Sequence, residues 1–203
     1  MAHLSADEPA ALPGLEGPVS FAGVDIDAAD RLAERLVALA LERDQTIATA
    51  ESCTAGLMAH TLSQPIGSAS VLVGGFVTYT KAAKTRMLDV PAELFARSGA
   101  VDPAVAKAMA AGAASRSGAD CAIALTGVTG PTADEDGNPV GRVFVGLAIE
   151  GRVFALHCAF GALAPDALNH LAMQAALLLA LASLGDSHAA ETLARASAAS
   201  RVA

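Results

Sequence analysis

The strongest constraint on the fold is an alternation of short apolar segments with helical ones. Strand-like apolar runs occupy positions 45–51, 71–80 and 120–127, and helical patterns lie between them. Strands that alternate with helices favour one sheet with helices on both faces. Residues 142–160 read as two more strands joined by Glu150-Gly151, which predicts an antiparallel hairpin. We therefore expect a layered α/β/α single domain with a mixed, mostly parallel sheet, a C-terminal hairpin and a last helix.

Local signals place several of these elements. Asp27 is expected to cap a helix that runs from Ala28 to about Arg43. An aspartate followed by a proline at positions 102 and 103 predicts a helix start, and that helix extends to about residue 116. The run at 71–80 is apolar on both faces, which predicts a central strand. The last helix, about 166–184, is apolar almost all round and is expected to be buried.

The chain divides into three parts by composition. Residues 1–25 contain several prolines and glycines without periodicity, and we expect a flexible extension there. Residues 26–185 form the predicted domain, and its length suits a single core. Residues 186–203 are polar and alanine-rich, and we expect either a frayed helix or a C-terminal tail.

Composition narrows the classes of function. A formal net charge of -8 on 203 residues argues against a surface that binds nucleic acid. Cys53, Cys121 and Cys158 match neither a metal-binding spacing nor a disulfide framework, so reduced thiols in a cytoplasmic protein are expected. The chain shows no secretory signal and no apolar run long enough to cross a bilayer, so we expect no membrane partner. The alanine-rich helix surfaces make a homo-oligomer plausible.

A polar cluster follows each of the first three predicted strands. These clusters read ESCT at 51–54, TKAAK at 80–84 and TGVTGP at 126–131. Ligands of open α/β sheets bind outside the carboxyl ends of the strands, so the three clusters are expected to converge on one pocket.

Ser52 is the candidate nucleophile of this pocket, and Lys84 is its candidate base. None of the five histidines follows a predicted strand, whereas Lys84 lies just beyond the second one. Burial in an apolar cleft lowers the pKa of a lysine, so the neutral amine can accept the proton of a serine hydroxyl. Tyr79 could relay or orient that proton. The alternatives are a helix cap at Ser52 or Thr54 and a solvated surface charge at Lys84.

The third cluster and its neighbours allow two interpretations. The glycines and hydroxyls of 126–130 could bring backbone close to a phosphate or a ring, although a Gly-Pro turn accounts for them equally well. Asp134, Glu135 and Asp136 resemble metal ligands, but they lack the calcium-loop pattern. A solvated acidic loop is the better interpretation, and we expect neither a metal nor a cofactor.

At these residues the chain resembles the CinA C-terminal domain family, whose active members are nicotinamide-nucleotide amidohydrolases. The matching segments follow the order and spacing of the family and cover about residues 28–184. They read TAESCTAG, GFVTYTKAAKTRMLDV, GAVDPAVAKAMAAGA, SGADCAIALTGVTGP and NPVGRVFVGLA.

The resemblance implies hydrolysis of the carboxamide of nicotinamide mononucleotide to nicotinate mononucleotide and ammonia. It implies a serine nucleophile, a lysine base and a neighbouring tyrosine, which correspond to Ser52, Lys84 and Tyr79. Glu51 is expected to fix the loop, and Thr54 with the N–H groups that follow it is expected to hold the oxyanion. The residues expected to contact the substrate are Glu51, Thr54, Ala55, Gly56, Thr126, Gly127, Gly130 and Arg142.

Two departures from the family pattern bear on the substrate. Ala55 stands where the family usually has glycine, which is costly if that position needs a positive φ. The family also places arginines between its hairpin and its last helix, whereas residues 160–174 contain none here. A phosphate would lose a permanently charged, bidentate partner, for which Arg142 could compensate.

Three functions are therefore compatible with the sequence. The first is hydrolysis of nicotinamide mononucleotide, with this nucleotide as the small-molecule partner. The second keeps the Ser-Lys chemistry on another amide, one without a phosphate. The third is a non-catalytic CinA-like protein linked to competence or damage responses.

Overall fold

The computed structural model of the chain describes residues 15, 17–21, 25 and 27–199. The helices are α1 (Ala28–Glu42), α2 (Leu57–Ser63), α3 (Ser68–Val71), α4 (Lys81–Leu88), α5 (Ala92–Ser98), α6 (Pro103–Ser117), α7 (Pro165–Ser183) and α8 (Ser187–Ala199). The strands are β1 (Ile47–Glu51), β2 (Leu72–Val77), β3 (Cys121–Gly127), β4 (Arg142–Ile149) and β5 (Arg152–Ala159). Helices α3 and α5 are not predicted from the sequence, where residues 65–68 read as a plain turn.

The five strands form one mixed sheet in the order β2-β1-β3-β4-β5. β1 is parallel to both β2 and β3, whereas β4 is antiparallel to β3 and to β5. Glu150 and Gly151 both have positive φ, which suits the tight turn between β4 and β5. The predicted α/β/α domain with a C-terminal hairpin is confirmed.

The predicted central position of the second strand is wrong. β2 lies at the edge of the sheet, and the side chains of Val73 and Val77 are about half exposed. An apolar run shows that a strand has apolar residues on both faces, but it does not show whether a neighbour pairs with each edge.

Two layers of helix cover the sheet and bury different clusters. One face packs against α1 and α7, and α7 alone contributes eleven buried residues. The other face packs against α6, whose small side chains allow close approach. A Cβ at Gly146 on β4 would lie 2.1 Å from the carbonyl oxygen of Ala106 on α6, so only glycine fits there. The alanine content of the chain is thus what lets helix and sheet pack closely.

The ends of the domain correct two expectations. Val19 lies in the segment expected to be flexible, yet it is fully buried and exchanges two backbone hydrogen bonds with β5. The remaining residues of 1–25 lie mostly outside the described part. The C-terminal segment, expected to be either a frayed helix or a tail, is helix α8, and Ala189, Leu193 and Ala196 bury its inner face against the core. These three residues recur at helical spacing, which is the signal that marked this helix.

Among residues 15, 17–21, 25 and 27–199, none of the helices is both long enough and apolar enough to span a bilayer.

The two predicted helix caps have different outcomes. Asp102 caps α6 through its carboxylate, which accepts from the Ala104 N–H at 2.7 Å. Asp27 occupies the cap position of α1, but its side chain accepts no helix N–H.

Candidate functional site

The ends of three adjacent strands are tied together at one edge of the sheet. The N–H of Ser52 donates to the carbonyl of Leu125 on β3 at 3.0 Å, and the N–H of Thr78 donates to the carbonyl of Glu51 at 2.8 Å. Because β1, β2 and β3 are parallel, their carboxyl ends meet there. The three polar clusters that follow these strands are therefore brought together, as expected from the strand order of open α/β sheets.

Ser52 and Lys84 are in direct contact. The Lys84 Nζ lies 2.7 Å from the Ser52 Oγ, and the Lys84 side chain is fully buried. Lys84 lies on α4, which starts directly after β2 because Thr80 caps it by accepting from the Ala83 N–H at 3.1 Å. One turn of helix then carries the lysine back under the end of β1. The distance is within the reach of proton transfer.

Two carbonyl oxygens hold the amine of Lys84. Its Nζ donates to the carbonyl of Thr78 at 2.7 Å and to that of Tyr79 at 3.4 Å. As an ammonium, the Nζ also donates to the Ser52 Oγ, and once that proton is lost the lone pair faces the same hydroxyl. Burial lowers the pKa of Lys84 to about 8, because the apolar surroundings disfavour the charged form. A proton can thus pass from Ser52 to Lys84 without any rearrangement of the protein.

Tyr79 contributes its main chain to this pair rather than its phenol. The carbonyl of Tyr79 accepts from Lys84, and the Ser52 hydroxyl lies 3.4 Å from the same oxygen. The side chain is 69% exposed at the edge of the neighbouring pocket. Within the described residues, its hydroxyl makes no hydrogen bond to Ser52 or Lys84. The phenol is therefore not in place to relay or orient the proton in this structure, because Tyr79 lies two residues beyond β2 with its side chain largely exposed.

The carboxylate of Glu51 organises the turn after β1. It is fully buried and accepts five hydrogen bonds, from the Thr49 and Thr54 hydroxyls and from three main-chain N–H groups. Those N–H groups belong to Gly56, Met58 and Ala59 at the start of α2. The expected role of Glu51 in fixing the loop matches this geometry, and its negative charge compensates the free N–H groups of the helix.

This arrangement corrects the expected substrate contacts in the same turn. Glu51, Thr54, Ala55 and Gly56 do not line the pocket, because they face α2 behind Ser52. Thr54 donates its hydroxyl to Glu51 at 2.7 Å and is not turned toward Ser52. The N–H groups of Gly56, Met58 and Ala59 are occupied by the carboxylate, and that of Leu57 donates to the Thr54 carbonyl, so none of them is free to hold an oxyanion. The amides of Cys53 and Thr54, directly after Ser52, donate to no oxygen among the described residues.

Backbone strain is concentrated at Ala55. Its φ is 50°, and Gly56 follows with a φ of 103°. Alanine in this left-handed conformation costs on the order of 1 kcal/mol relative to glycine. The turn is maintained because the five hydrogen bonds of Glu51 determine its path.

Cys53 lies beside the nucleophile but has the properties of a neutral thiol. It is partly buried, packs against the core under β1, and also borders the pocket. Burial raises the pKa of this thiol to about 12, so it stays protonated near neutral pH. A thiol in that state is a poor nucleophile, which leaves Ser52 as the candidate.

A pocket of about 630 Å³ opens next to Ser52. Its walls come from the strand ends, from the first turn of α4, from the segment before α6 and from the β3–β4 loop. The lining residues are Ser52, Cys53, Tyr79, Thr80, Lys81, Ala82, Ala100, Val101, Thr126, Gly127, Val128, Thr129, Gly130, Thr132, Asp134, Glu135 and Asp136. Lys84 does not line this pocket, contrary to expectation, because it lies behind Ser52 and reaches the pocket only through that hydroxyl.

The β3–β4 loop supplies one whole wall. Thr126 donates its hydroxyl to the carbonyl of Ala100 at 2.8 Å and so joins the loop to the segment before α6. A Cβ at Gly127 would lie 2.7 Å from the Val143 Cγ2 and 2.8 Å from the Arg142 carbonyl, so a side chain there would displace β4. A Cβ at Gly130 would meet nothing within 4 Å. Thr126, Gly127 and Gly130 all line the pocket as predicted.

Arg142 does not line the pocket. Its guanidinium donates to the Asn138 Oδ1 at 3.0 Å, and its carbonyl accepts from the Val128 N–H at 2.9 Å. The expected compensation for the missing family arginines is therefore not available in this structure. The residue supports the loop from behind instead.

Lys81 is a pocket residue that sequence reasoning did not select. Its Nζ lies 2.7 Å from Glu135 Oε1 and 2.9 Å from Asp136 Oδ2. Hydrogen bonds to these two carboxylates raise the pKa of Lys81, and the hydrogen bond to Glu135 has the larger effect. The acidic loop is thus an ion-paired wall of the pocket. The acidic loop and Lys81 are about fifty residues apart in the chain, so no local sequence pattern predicts that they form ion pairs.

Comparisons with known proteins agree with this geometry. The CinA C-terminal domain family matches residues 29–184. A CinA-like protein from Mycolicibacterium gilvum is 50% identical over 115 residues, which are 57% of this chain and 27% of that protein. A CinA-like protein from Citrifermentans bemidjiense is 43% identical over 122 residues, or 60% of this chain and 30% of that protein. The chain thus spans less than a third of the length of these curated relatives.

Solved structures are similar over most of their length. The competence/damage inducible protein CihA from Agrobacterium tumefaciens has a TM-score of 0.74 and 35% identity, over 77% of this chain and 95% of that one. A competence-damaged protein (CinA) superfamily protein from Escherichia coli has the same TM-score and identity, over 79% and 94%. The family match covers well over half of the sequence and includes every residue of the pocket. The chain belongs to the CinA C-terminal domain family.

Proposed function

We propose that this chain is an amidohydrolase, with Ser52 as the nucleophile and Lys84 as the general base. The substrate is a carboxamide on an N-ribosylated pyridine, and nicotinamide mononucleotide is the one implied by the resemblance to the family. The observation that carries the proposal is the 2.7 Å contact between the Ser52 hydroxyl, which lines a 630 Å³ pocket, and a fully buried lysine behind it.

The proposed reaction has two halves. The Ser52 Oγ attacks the amide carbon while Lys84 takes its proton, and the C–N bond then breaks as the nitrogen receives that proton and leaves as ammonia. The resulting ester on Ser52 is attacked by water, whose proton passes to Lys84. Collapse of this second adduct releases the carboxylate and returns the proton to Ser52. The amides of Cys53 and Thr54, which contact the Cys53 thiol and donate to no oxygen among the described residues, are the candidates to stabilise the oxyanion.

A lowered lysine pKa supports this assignment. A base works best when its pKa is near the working pH, and a pKa of about 8 leaves a useful fraction of free amine at neutrality. A solvated lysine, with its pKa above 10, would be almost wholly protonated. The alternative of a simple helix cap gives no reason to bury an amine against the serine.

Ammonia release tests the proposal. The wild-type chain is incubated with nicotinamide mononucleotide and with nicotinamide riboside, and Ser52→Ala serves as the matched control. Release by the wild type from at least one substrate, with loss of that release in the variant, is expected. Equal release by both proteins would exclude Ser52 as the nucleophile, and no release by either would point to the non-catalytic CinA-like function instead.

A further inference from the structure

We propose that the charge of the pocket wall makes the phosphate-free riboside a better substrate for this chain than the mononucleotide. The inference rests on the proposed amide hydrolysis at Ser52 and names the substrate class of that site. The observation behind it is an excess of carboxylates along the wall formed by the β3–β4 loop.

Three carboxylates line the pocket, against one exposed ammonium. The carboxylates belong to Asp134, Glu135 and Asp136. Lys81 carries the one basic side chain among the described lining residues. Lys81 is already engaged, because its Nζ lies within 3.0 Å of both Glu135 and Asp136. Three negative charges and one positive charge leave the wall with two uncompensated negative charges.

The acidic side chains are held in place by the loop. Asp134 accepts from the N–H groups of Asp136 and Asn138 at 3.1 and 2.7 Å, and Asp136 accepts from the Ala100 N–H at 3.2 Å. A Cβ at Gly99 would lie 2.4 Å from the Asp136 Oδ2, so this carboxylate is packed directly against the opposite segment. The negative wall is therefore a fixed part of the pocket.

Lys81 is the one cation among the described residues that line the wall, and the ammonium form of Lys84 lies on the far side of Ser52. Arg142 is bound to Asn138 outside the pocket, and residues 160–174 contain no arginine. A phosphate group carries a charge of about -1.5 to -2 at neutral pH, so the wall repels it. The pyridinium ring that both substrates share is a cation, and the same wall attracts it.

The expected size of the preference is modest because the wall faces water. One pair of like charges about 4 Å apart in bulk water weakens binding roughly fivefold. Two such charges lead us to expect kcat/KM for the riboside to exceed that for the mononucleotide by at most about twenty-fivefold at low ionic strength. Salt at about 0.5 M screens exposed charges, so the ratio should fall toward one.

Two variants of opposite sign test the role of the wall. Glu135→Gln removes a negative charge from a side chain that is 76% exposed and contacts Lys81, so it is expected to raise kcat/KM for the mononucleotide several-fold. Lys81→Gln adds a net negative charge and is expected to lower it. The control is Glu42→Gln at the end of α1, an exposed residue at the opposite edge of the sheet, which changes net charge alone. A preference of the wild type for the mononucleotide, or equal shifts in Glu135→Gln and Glu42→Gln, would overturn the inference.

Binding to Ser52→Ala separates this inference from the proposed function. Calorimetric titration with the riboside and with the mononucleotide reports the charge preference without any reaction. Tighter binding of the riboside with no hydrolysis by the wild type would sink the amidase and leave the charge inference standing. Hydrolysis of both substrates by the wild type with tighter binding of the mononucleotide would support the amidase and overturn the charge inference. No binding of either compound would overturn both proposals.

Discussion

At the scale of the residue, the proposed mechanism makes Lys84 the group that sets the pH dependence of the reaction. The free amine is the reactive form, and its pKa is lowered to about 8 by burial. We therefore expect kcat/KM to rise with pH, to reach half of its plateau near pH 8, and to level off above that. A pH-rate profile between about pH 6 and 10 measures this. A rate that falls as the pH rises through 8 would mean that the ammonium form is the active one.

Glu51 is a positioning residue whose effect on activity goes through the turn it holds. Glu51→Gln keeps the size of the side chain but replaces one carboxylate oxygen with an NH₂ group. The main-chain N–H groups that donate to that oxygen in the wild type would then face another donor. A buried donor without a partner costs about 1–3 kcal/mol, so the free energy of unfolding should fall by at least that amount. Urea unfolding measures it, with Glu42→Gln as the exposed control. An unchanged unfolding energy would show that the five hydrogen bonds contribute little.

The contact between Ser52 and Lys84 could be predicted because it depends on side-chain chemistry and on strand ends. Ser52 and Lys84 each follow a strand, and a lysine in an apolar cleft beside a serine is typical of a general base and its nucleophile. The roles of main-chain atoms could not be predicted in the same way. Every residue has a carbonyl, so nothing in the sequence shows that those of Thr78 and Tyr79 hold the lysine.

At the scale of the element, the β3–β4 loop contains two glycines with different requirements. Gly127→Ala would push a methyl group against the backbone of β4, whereas Gly130→Ala would place it in open space. We expect Gly127→Ala to lower the melting temperature by several degrees, which corresponds to ~1–3 kcal/mol of overpacking. Gly130→Ala should leave it unchanged within about one degree. Equal melting temperatures for the two variants would contradict the close approach of β3 and β4.

The order of the strands in the sheet could not be predicted from sequence patterns. The hairpin follows from a local turn, and the parallel strands follow from the helices between them. The edge position of β2 depends on which strand pairs with β1 on its other side, and that is a contact between residues far apart in the chain.

Self-association through exposed surfaces stays a prediction, and light scattering would measure it.

At the scale of the whole molecule, α8 is part of the folded unit. Leu193 is 1% exposed in the core cluster, and Asp186 pairs with Arg35 on α1 just before the helix begins. Leu193→Ala should lower the free energy of unfolding by about 2–5 kcal/mol, the usual cost of a cavity. Ala194→Ser, at an exposed position of the same helix, should change it little. If Leu193→Ala has no effect, the C-terminal segment is a tail after all.

Stability of the whole chain should also depend on pH through Lys84. Its pKa is about 8 in the folded chain, below the ordinary value of 10.5, so the unfolded chain binds more protons between these values. The free energy of unfolding should therefore rise between about pH 8 and 10.5, by up to about 3 kcal/mol. Below pH 8 this contribution is absent. Unfolding of the wild type and Lys84→Met at several pH values isolates the effect, because the variant lacks it.

The proposed mechanism requires Ser52 and Lys84 to act as one unit, and a double-mutant comparison of ammonia release measures that directly. Ser52→Ala and Lys84→Met should each lower kcat at least roughly a thousandfold, and the double variant should be little worse than either. Melting curves confirm that all three variants are folded. If the two losses multiply in the double variant, the residues act independently, and the Ser-Lys mechanism proposed for this chain is contradicted.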